Sequence, residues 1–321
     1  MSAGDAAPEI SDYEGYDFRA LWTGREKVTE VERTLLARAF APGDVRRLLE
    51  VGTGFGRLLG SLERIAEEVV ATDFDMVSLR RLGSRRAIRS ETLRVAANLY
   101  HLPFADASFT GATLVRVIHH LSDPVAALAE IRRVLRPGGR LLVSYNPRPT
   151  VGTLVNDIQR ALHPAPGVRF RSITFARERR VELDPEPFPI YIEPREAFER
   201  QARRAGFDPC FELGSGIEEY YLMRHVPTEW FVRLGTQLGR APGFPMRVAM
   251  LEVPPADSRP LPDRDKLFVC PVCHQELQID PKGNGVRCGA CPFTGDRQDG
   301  VLDLRFVPEG VARWSGHGDG G

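Results

Sequence analysis

The chain is predicted to be an α/β protein built on a doubly wound, mostly parallel sheet, with a small module appended near its C-terminal end. Three observations predict this. Short apolar strands alternate with helical stretches from about residue 45 to 146. A glycine turn, Gly52-Thr53-Gly54-Phe55-Gly56, joins the first of those strands to the helix after it. Four cysteines, Cys270, Cys273, Cys288 and Cys291, form two Cys-x-x-Cys pairs, whereas the first 209 residues contain none.

The elements follow in order. Residues 1–25 are acidic and then aromatic, with Tyr13, Tyr16, Phe18 and Trp22. Val28, Val31, Leu35, Leu36 and Ala39 recur at helical spacing between Glu26 and Phe40, and Pro42-Gly43 ends that helix. Strands are expected at Arg47–Val51, Val69–Thr72, Leu93–Ala97, Gly111–Ile118 and Arg140–Ser144. Helices are expected at Arg57–Ala66, Met76–Arg89 and Pro124–Leu135. Residues 146–194 hold eight prolines and weak periodicity, which reads as a partly ordered insertion or lid. A helix at Arg195–Ala205, a strand at Phe207–Leu213, a helix at Thr228–Leu238 and a strand at Arg247–Val253 complete this part. The lone Cys210 is expected to be a buried strand residue. Residues 254–265 are a proline-rich linker, 266–307 the cysteine module and 308–321 a flexible tail. The domain reading is therefore an N-terminal segment 1–25, a main domain 26–253 with insertions 146–194 and 214–246, the linker and the module.

Composition narrows the function classes. The 321 residues are 42% hydrophobic and 27% charged, which is ordinary globular usage. Lys+Arg and Asp+Glu both number 43, so overall charge gives no reason to expect a polyanion partner. No run approaches a membrane span, and the acidic start does not resemble a secretory signal. The cytoplasm is the expected location.

The glycine turn lets backbone approach a ligand closely, at a helix N-terminus that favours anions. The third glycine comes one residue earlier than in a dinucleotide fingerprint, and Arg57 stands where that pattern has glycine. Glu50, two residues before the first glycine, suits a cationic ligand better than a pyrophosphate. Asp73 ends the second strand and can accept ribose hydroxyls, or simply open the next helix. Asn98 ends the third strand, where an amide either recognises an adenine edge or makes a turn.

Residues 45–146 resemble class I S-adenosylmethionine (SAM)-dependent methyltransferases, which have a seven-stranded Rossmann-like sheet. The matching segments are Glu50–Gly56, Asp73, Leu102–Phe109, Val117-Ile118-His119-His120-Leu121 and Arg132–Gly139. The resemblance implies SAM as co-substrate, held by Glu50, Gly52, Gly54, Gly56, Asp73, Asn98, Leu99 and Arg116. Asn98 departs from the aspartate usual at the adenine. Direct methyl displacement depends mainly on alignment, worth roughly 7–11 kcal/mol, so it needs no universal catalytic residue. His119 and His120 follow the fourth strand. They are candidates for a base or a substrate contact, or else helix-start or packing residues. Tyr13, Tyr16, Trp22 and Arg25 either close over SAM or cover the sheet edge.

The two cysteine pairs supply four thiolates for a tetrahedral structural Zn2+, with Gly283-Asn284-Gly285 as the turn between them. This segment resembles the small zinc-ribbon activators of tRNA, rRNA and release-factor methyltransferases. That implies stabilisation in cis or a protein partner docked on the ribbon. The ribbon itself is charge-neutral, and the basic run lies at Arg80–Arg94. The expected acceptor is a small molecule. RNA or a translation protein is the alternative acceptor, and a non-catalytic SAM-binding scaffold is the third reading.

Overall fold

The computed structural model describes residues 8–14, 16, 18–40, 45–85, 88–162, 172, 174, 180–182, 189–219, 225–238, 241, 243–256, 260–280 and 285–315. The first half runs β1 (Ile10–Asp12), α1 (Arg19–Trp22), α2 (Glu26–Ala39), β2 (Val45–Val51), α3 (Leu59–Ile65), β3 (Ala66–Asp73), α4 (Met76–Arg85), β4 (Thr92–Ala96), β5 (Phe109–Leu114), α5 (Pro124–Val134) and β6 (Leu135–Tyr145). Next come α6 (Val151–Leu162), β7 (Arg180–Glu182), β8 (Pro189–Tyr191), α7 (Arg195–Arg204), β9 (Asp208–Ser215), α8 (Thr228–Gln237) and β10 (Met246–Glu252). The C-terminal part contributes β11 (Leu277–Ile279), β12 (Gly285–Cys288), β13 (Thr294–Gln298), β14 (Val301–Asp303) and β15 (Arg313–Ser315).

β2 shows why this sequence makes a central strand. Every residue but Arg46 is buried, because helices cover both sheet faces. Neighbours in sequence serve opposite cores: Leu48 and Val69 pack with α2 and α3, whereas Leu49 and Val70 pack with α5. α2 presents Val28, Val31, Leu35 and Leu36 inward at helical spacing, with Glu32 buried among them. α5 starts sharply because Pro124 opens it and the Asp123 carboxylate caps the Val125 and Ala126 amides, each at 3.0 Å.

The main sheet corrects the expected seven-stranded, mostly parallel arrangement. It has eleven strands in the order β11-β12-β13-β14-β4-β3-β2-β5-β6-β10-β9. β4 through β6 are parallel, and β10 runs antiparallel to both β6 and β9. The cysteine-bearing hairpins are antiparallel among themselves, and β14 joins β4 in parallel, with Leu302 opposite Val95. An open β4 edge would leave a row of backbone donors and acceptors unpaired, and β14 covers it. Leu267, Leu277, Val286, Leu302 and Leu304 belong to the same apolar cluster as Leu49 and Phe104.

Several local expectations shift. The fourth strand stops at Leu114, since Arg116 adopts φ 62° and residues 118–120 form a 3-10 turn. Residues 146–194 contain α6, whose apolar Val151, Leu154, Ile158 and Leu162 are exposed rather than core-facing. Cys210 lies on β9 but is exposed. The expected turn residues Gly283 and Asn284, Arg86 of the basic run, and 316–321 of the tail lie outside the described residues. A separate parallel pair joins β1 to β15, with Ile10 opposite Arg313. Among the described residues no helix is long and apolar enough to cross a membrane.

Candidate active site and cysteine centre

The carboxyl ends of β2, β3, β5 and β6 open into one cavity of about 760 Å³, within the usual size range of small-molecule sites. Glu50, Gly52, Gly54, Asp73, Asn98 and Leu99 line one side. Arg116, His119 and His120 line it further along, and Tyr13, Trp22 and Arg25 of the N-terminal segment contribute to its wall. Of the sequence-predicted residues of this site, Tyr16 and Gly56 are not in the wall; Tyr16 instead packs edge-on against Phe18. Gly56 is held by the fold. It lies where an added Cβ would stand 2.1 Å from Leu82 Cδ1, at φ 77°, so its glycine serves packing. Gly54, at φ 49°, has open space on its Cβ side.

Hydrogen bonds fix the loop. The Gly52 and Thr53 amides both donate to the Thr72 carbonyl at 2.9 Å. The Gly54 amide donates to Asp73 Oδ2 at 2.7 Å, and Asp75 N donates to Oδ1 at 3.0 Å. Thr53 Oγ1 donates to Glu50 Oε2 at 2.5 Å. Burial pushes the Glu50 carboxyl up to about 7, with the Thr53 bond opposing it. Burial likewise pushes Asp73 up to about 6, against the amides of Asp75 and Gly54. Two desolvated carboxylates thus line one cavity, an arrangement that favours a cationic, hydroxyl-bearing ligand.

The Asn98 side chain is engaged within the protein. Its Oδ1 accepts from Tyr100 N at 3.0 Å, and its Nδ2 donates to the Phe306 carbonyl at 2.9 Å. Arg305 donates to the Phe74 carbonyl at 3.2 Å, and Leu304 N donates to the Ala96 carbonyl at 2.9 Å. The segment leaving β14 therefore backs the cavity behind Phe74 and Asn98.

Sequence reasoning missed a charged cluster here. Buried Glu32 bridges Arg57 and Arg116, the latter at 2.9 Å, and Trp22 stacks over Arg57 with 3.7 Å from guanidinium to ring centroid. The signal was Glu32 itself, an acid on the apolar stripe of α2. His119 and His120 sit with ring centroids 4.1 Å apart, and Tyr13 meets His120 edge-on at 5.3 Å. Burial, then His120 and Arg116, push the His119 imidazole well below its ordinary range, so it is neutral near pH 7. Its Nδ1 has no hydrogen-bond partner among the described residues.

The N-terminal segment is tied down over the cavity. Ser11 Oγ donates to the His120 carbonyl and Ser122 Oγ to the Glu9 carbonyl, both at 3.1 Å.

The four module cysteines converge, with ligand atoms all within 4.8 Å of one another. The Cys270–Cys291 and Cys273–Cys288 sulfurs are 3.5 and 3.4 Å apart. Tetrahedral Zn–S bonds of about 2.3 Å require S···S separations near 3.8 Å, so small shifts would accommodate the ion. Val272 N donates to Cys270 Sγ at 3.4 Å and Ala290 N to Cys288 Sγ at 3.3 Å, the support that thiolate ligands need.

Three arginines of the basic run are engaged within the protein. Arg80 pairs with Asp299 at 3.5 Å, Arg94 donates to the Asp299 carbonyl at 2.8 Å, and Arg89 donates to the Glu67 carbonyl at 2.9 Å.

Residues 49–143 match a family described as "Methyltransferase domain". Curated relatives named demethylmenaquinone methyltransferase share this region. That of Renibacterium salmoninarum is 35% identical over 120 residues, 37% of this chain and 49% of its own. That of Beutenbergia cavernae is 38% identical over 111 residues, 35% of this chain and 44% of its own. The chain spans about half the length of these relatives. Among solved structures, a complex between the Haloferax volcanii Trm112 methyltransferase activator and a methyltransferase aligns at TM-score 0.52 and 15% identity, over 75% of this chain and 98% of that chain. An S-adenosylmethionine-dependent methyltransferase from Mesorhizobium loti aligns at TM-score 0.50 and 18% identity, over 69% and 97%. At such identities these structures show a shared fold.

Proposed function

We propose that this chain, which carries a methyltransferase domain, is a class I SAM-dependent methyltransferase acting on a small molecule. The observation that carries the reading is the cavity itself. It joins two desolvated carboxylates, Glu50 and Asp73, to an apolar, histidine-bearing half under the N-terminal segment. Bound SAM would supply a methyl group already activated on a sulfonium sulfur. Glu50 would hold the ammonium end, Asp73 the ribose hydroxyls, and Gly52 and Gly54 would let backbone approach. Leu99 would flank the adenine, and Asn98 would set the wall behind it through Phe306. Arg116 and Arg57, joined by Glu32, would border the carboxylate end. Neutral His119 would take a proton from the acceptor, while His120 supports the wall beside Tyr13.

Residues 26–253 would form the transferase unit and 266–307 the metal module. Cys270, Cys273, Cys288 and Cys291 would hold Zn2+ with no coordination position left for substrate, making the ion structural. The relatives' name supports a small acceptor. So does the engagement of Arg80, Arg89 and Arg94 within the protein, which takes them out of an RNA-binding face.

The test is calorimetric binding of S-adenosylhomocysteine, the demethylated co-product, followed by turnover of labelled SAM with extract split into RNA, protein and small-molecule fractions. Binding, with label entering the small-molecule fraction, is expected. No binding, or label entering RNA or protein alone, would overturn the reading.

A further inference from the structure

β14 ends at Asp303, and each of the next three residues bonds to a residue at the end of β3 or β4. Leu304 N donates to the Ala96 carbonyl at 2.9 Å, Arg305 Nη1 donates to the Phe74 carbonyl at 3.2 Å, and the Phe306 carbonyl accepts from Asn98 Nδ2 at 2.9 Å. Of the three, Arg305 does so through its side chain. Its guanidinium also stands over the Phe74 ring, 5.5 Å from the centroid. Two bonds to one carboxylate fix the guanidinium plane: Nε donates to Asp303 Oδ1 at 2.9 Å and Nη2 to Oδ2 at 2.6 Å. A planar fork held at both prongs is pre-organised. The Asp303 bonds, with the charges of Glu14 and Asp12 behind them, outweigh burial and hold the guanidinium above its ordinary range.

Phe74 lines the cavity beside Asp73, and Arg305 is outside the lining. The carbonyl that Arg305 anchors belongs to the residue between Asp73 and Asp75. The Arg305 bond and the Asp75 N bond to Asp73 Oδ1 therefore brace the same turn. The anchor lies 231 residues along the chain from the turn it braces.

We propose that Arg305 is a positioning residue for the nucleoside of the co-substrate, acting through Phe74. This rests on the methyltransferase reading. Asp73 and Phe74 must take up one arrangement for the ribose and base to bind. A turn that ordered only when ligand arrived would lose affinity to that ordering. The Asp303-held fork, set on both the carbonyl and the ring of Phe74, orders the turn beforehand. The C-terminal module thus contributes a side chain that fixes the nucleoside end of the site without touching the ligand.

The test is calorimetric binding by the full chain of S-adenosylhomocysteine and of 5′-methylthioadenosine, which keeps the nucleoside and thioether but has no aminoacyl end. Arg305→Met, which keeps the stem and loses the fork, should weaken both ligands by about tenfold and leave the ratio of their affinities unchanged. Zinc content, read by native mass spectrometry, should not change. In a Phe74→Ala background the same Arg305→Met change should cost no more than about threefold, because the ring it acts on is gone. Unweakened binding, a loss confined to S-adenosylhomocysteine, or the full tenfold loss in the Phe74→Ala background overturns the proposal. Should Arg305→Met shed its zinc, Asp303→Asn, which loosens the fork and leaves the guanidinium in place, decides by the same paired loss. Wild-type protein that binds neither ligand defeats the methyltransferase reading, and this proposal with it.

Discussion

Glu50→Gln should make the ligand-free protein more stable and the SAM site worse. The unfolded carboxyl titrates near 4.5, and the folded one is pushed up to about 7 by burial. Between those values the native state holds a proton that the unfolded chain has released. Wild-type stability is therefore fully present below about pH 4.5 and is lost as pH rises through 7. A difference of roughly 2.5 units at 1.36 kcal/mol each gives about 3 kcal/mol. A glutamine at this position carries no such penalty, and its carbonyl can still accept from the Thr53 hydroxyl. Denaturant unfolding of the ligand-free proteins should show the variant about 3 kcal/mol ahead at pH 8 and level with wild type at pH 4.5. Calorimetry at pH 8 should show S-adenosylhomocysteine binding weakened by about 1–3 kcal/mol, the usual range for losing a charged hydrogen-bond partner. A stability gap that is the same at both pH values, or a variant less stable at pH 8, would refute the burial argument.

Asp73→Ala removes the partner of the Gly54 amide and, with it, the proposed acceptor for the ribose hydroxyls. S-adenosylhomocysteine affinity should drop roughly 10- to 100-fold by calorimetry, and unchanged affinity would remove Asp73 from the site. Native mass spectrometry should find a single zinc bound by the four cysteines of each chain. Cys270→Ser should lose it and raise amide exchange along β14 and β4, because those strands share hydrogen bonds. It should also weaken S-adenosylhomocysteine binding through Asn98 and Phe306, and a variant that keeps its zinc would contradict the assignment. Arg47 is 2% exposed and donates to the carbonyls of Ser108 and Pro262 while pairing with Glu68. Arg47→Ala should cost about 2–3 kcal/mol in denaturant unfolding; a loss under about 0.5 kcal/mol would show that this staple adds nothing.

What the sequence made legible was local. Gly52 through Gly56 directly follow one strand and Asp73 ends the next, whose apolar run is plain, so pairing those neighbouring strands brings them together. The four cysteines announce their chemistry by residue type. The Glu32 bridge was not legible, because Arg116 lies 84 residues away and meets it only once α2 packs on the sheet. The joining of β14 to β4 depends on which edge the fold leaves open, and a three-residue strand carries no periodicity to signal it.

The pairing of β1 with β15 ties the timing of biosynthesis to the state of the cavity. Ile10 leaves the ribosome about 300 residues before its partner Arg313. At roughly 5–20 residues per second, that is about 15–60 s. Through that interval the nascent chain has its glycine loop and central strands but lacks the partner strand that anchors residues 10–12. The segment over the cavity, already tied through Ser11 and Ser122, gains its strand partner only once residues 313–315 have been translated.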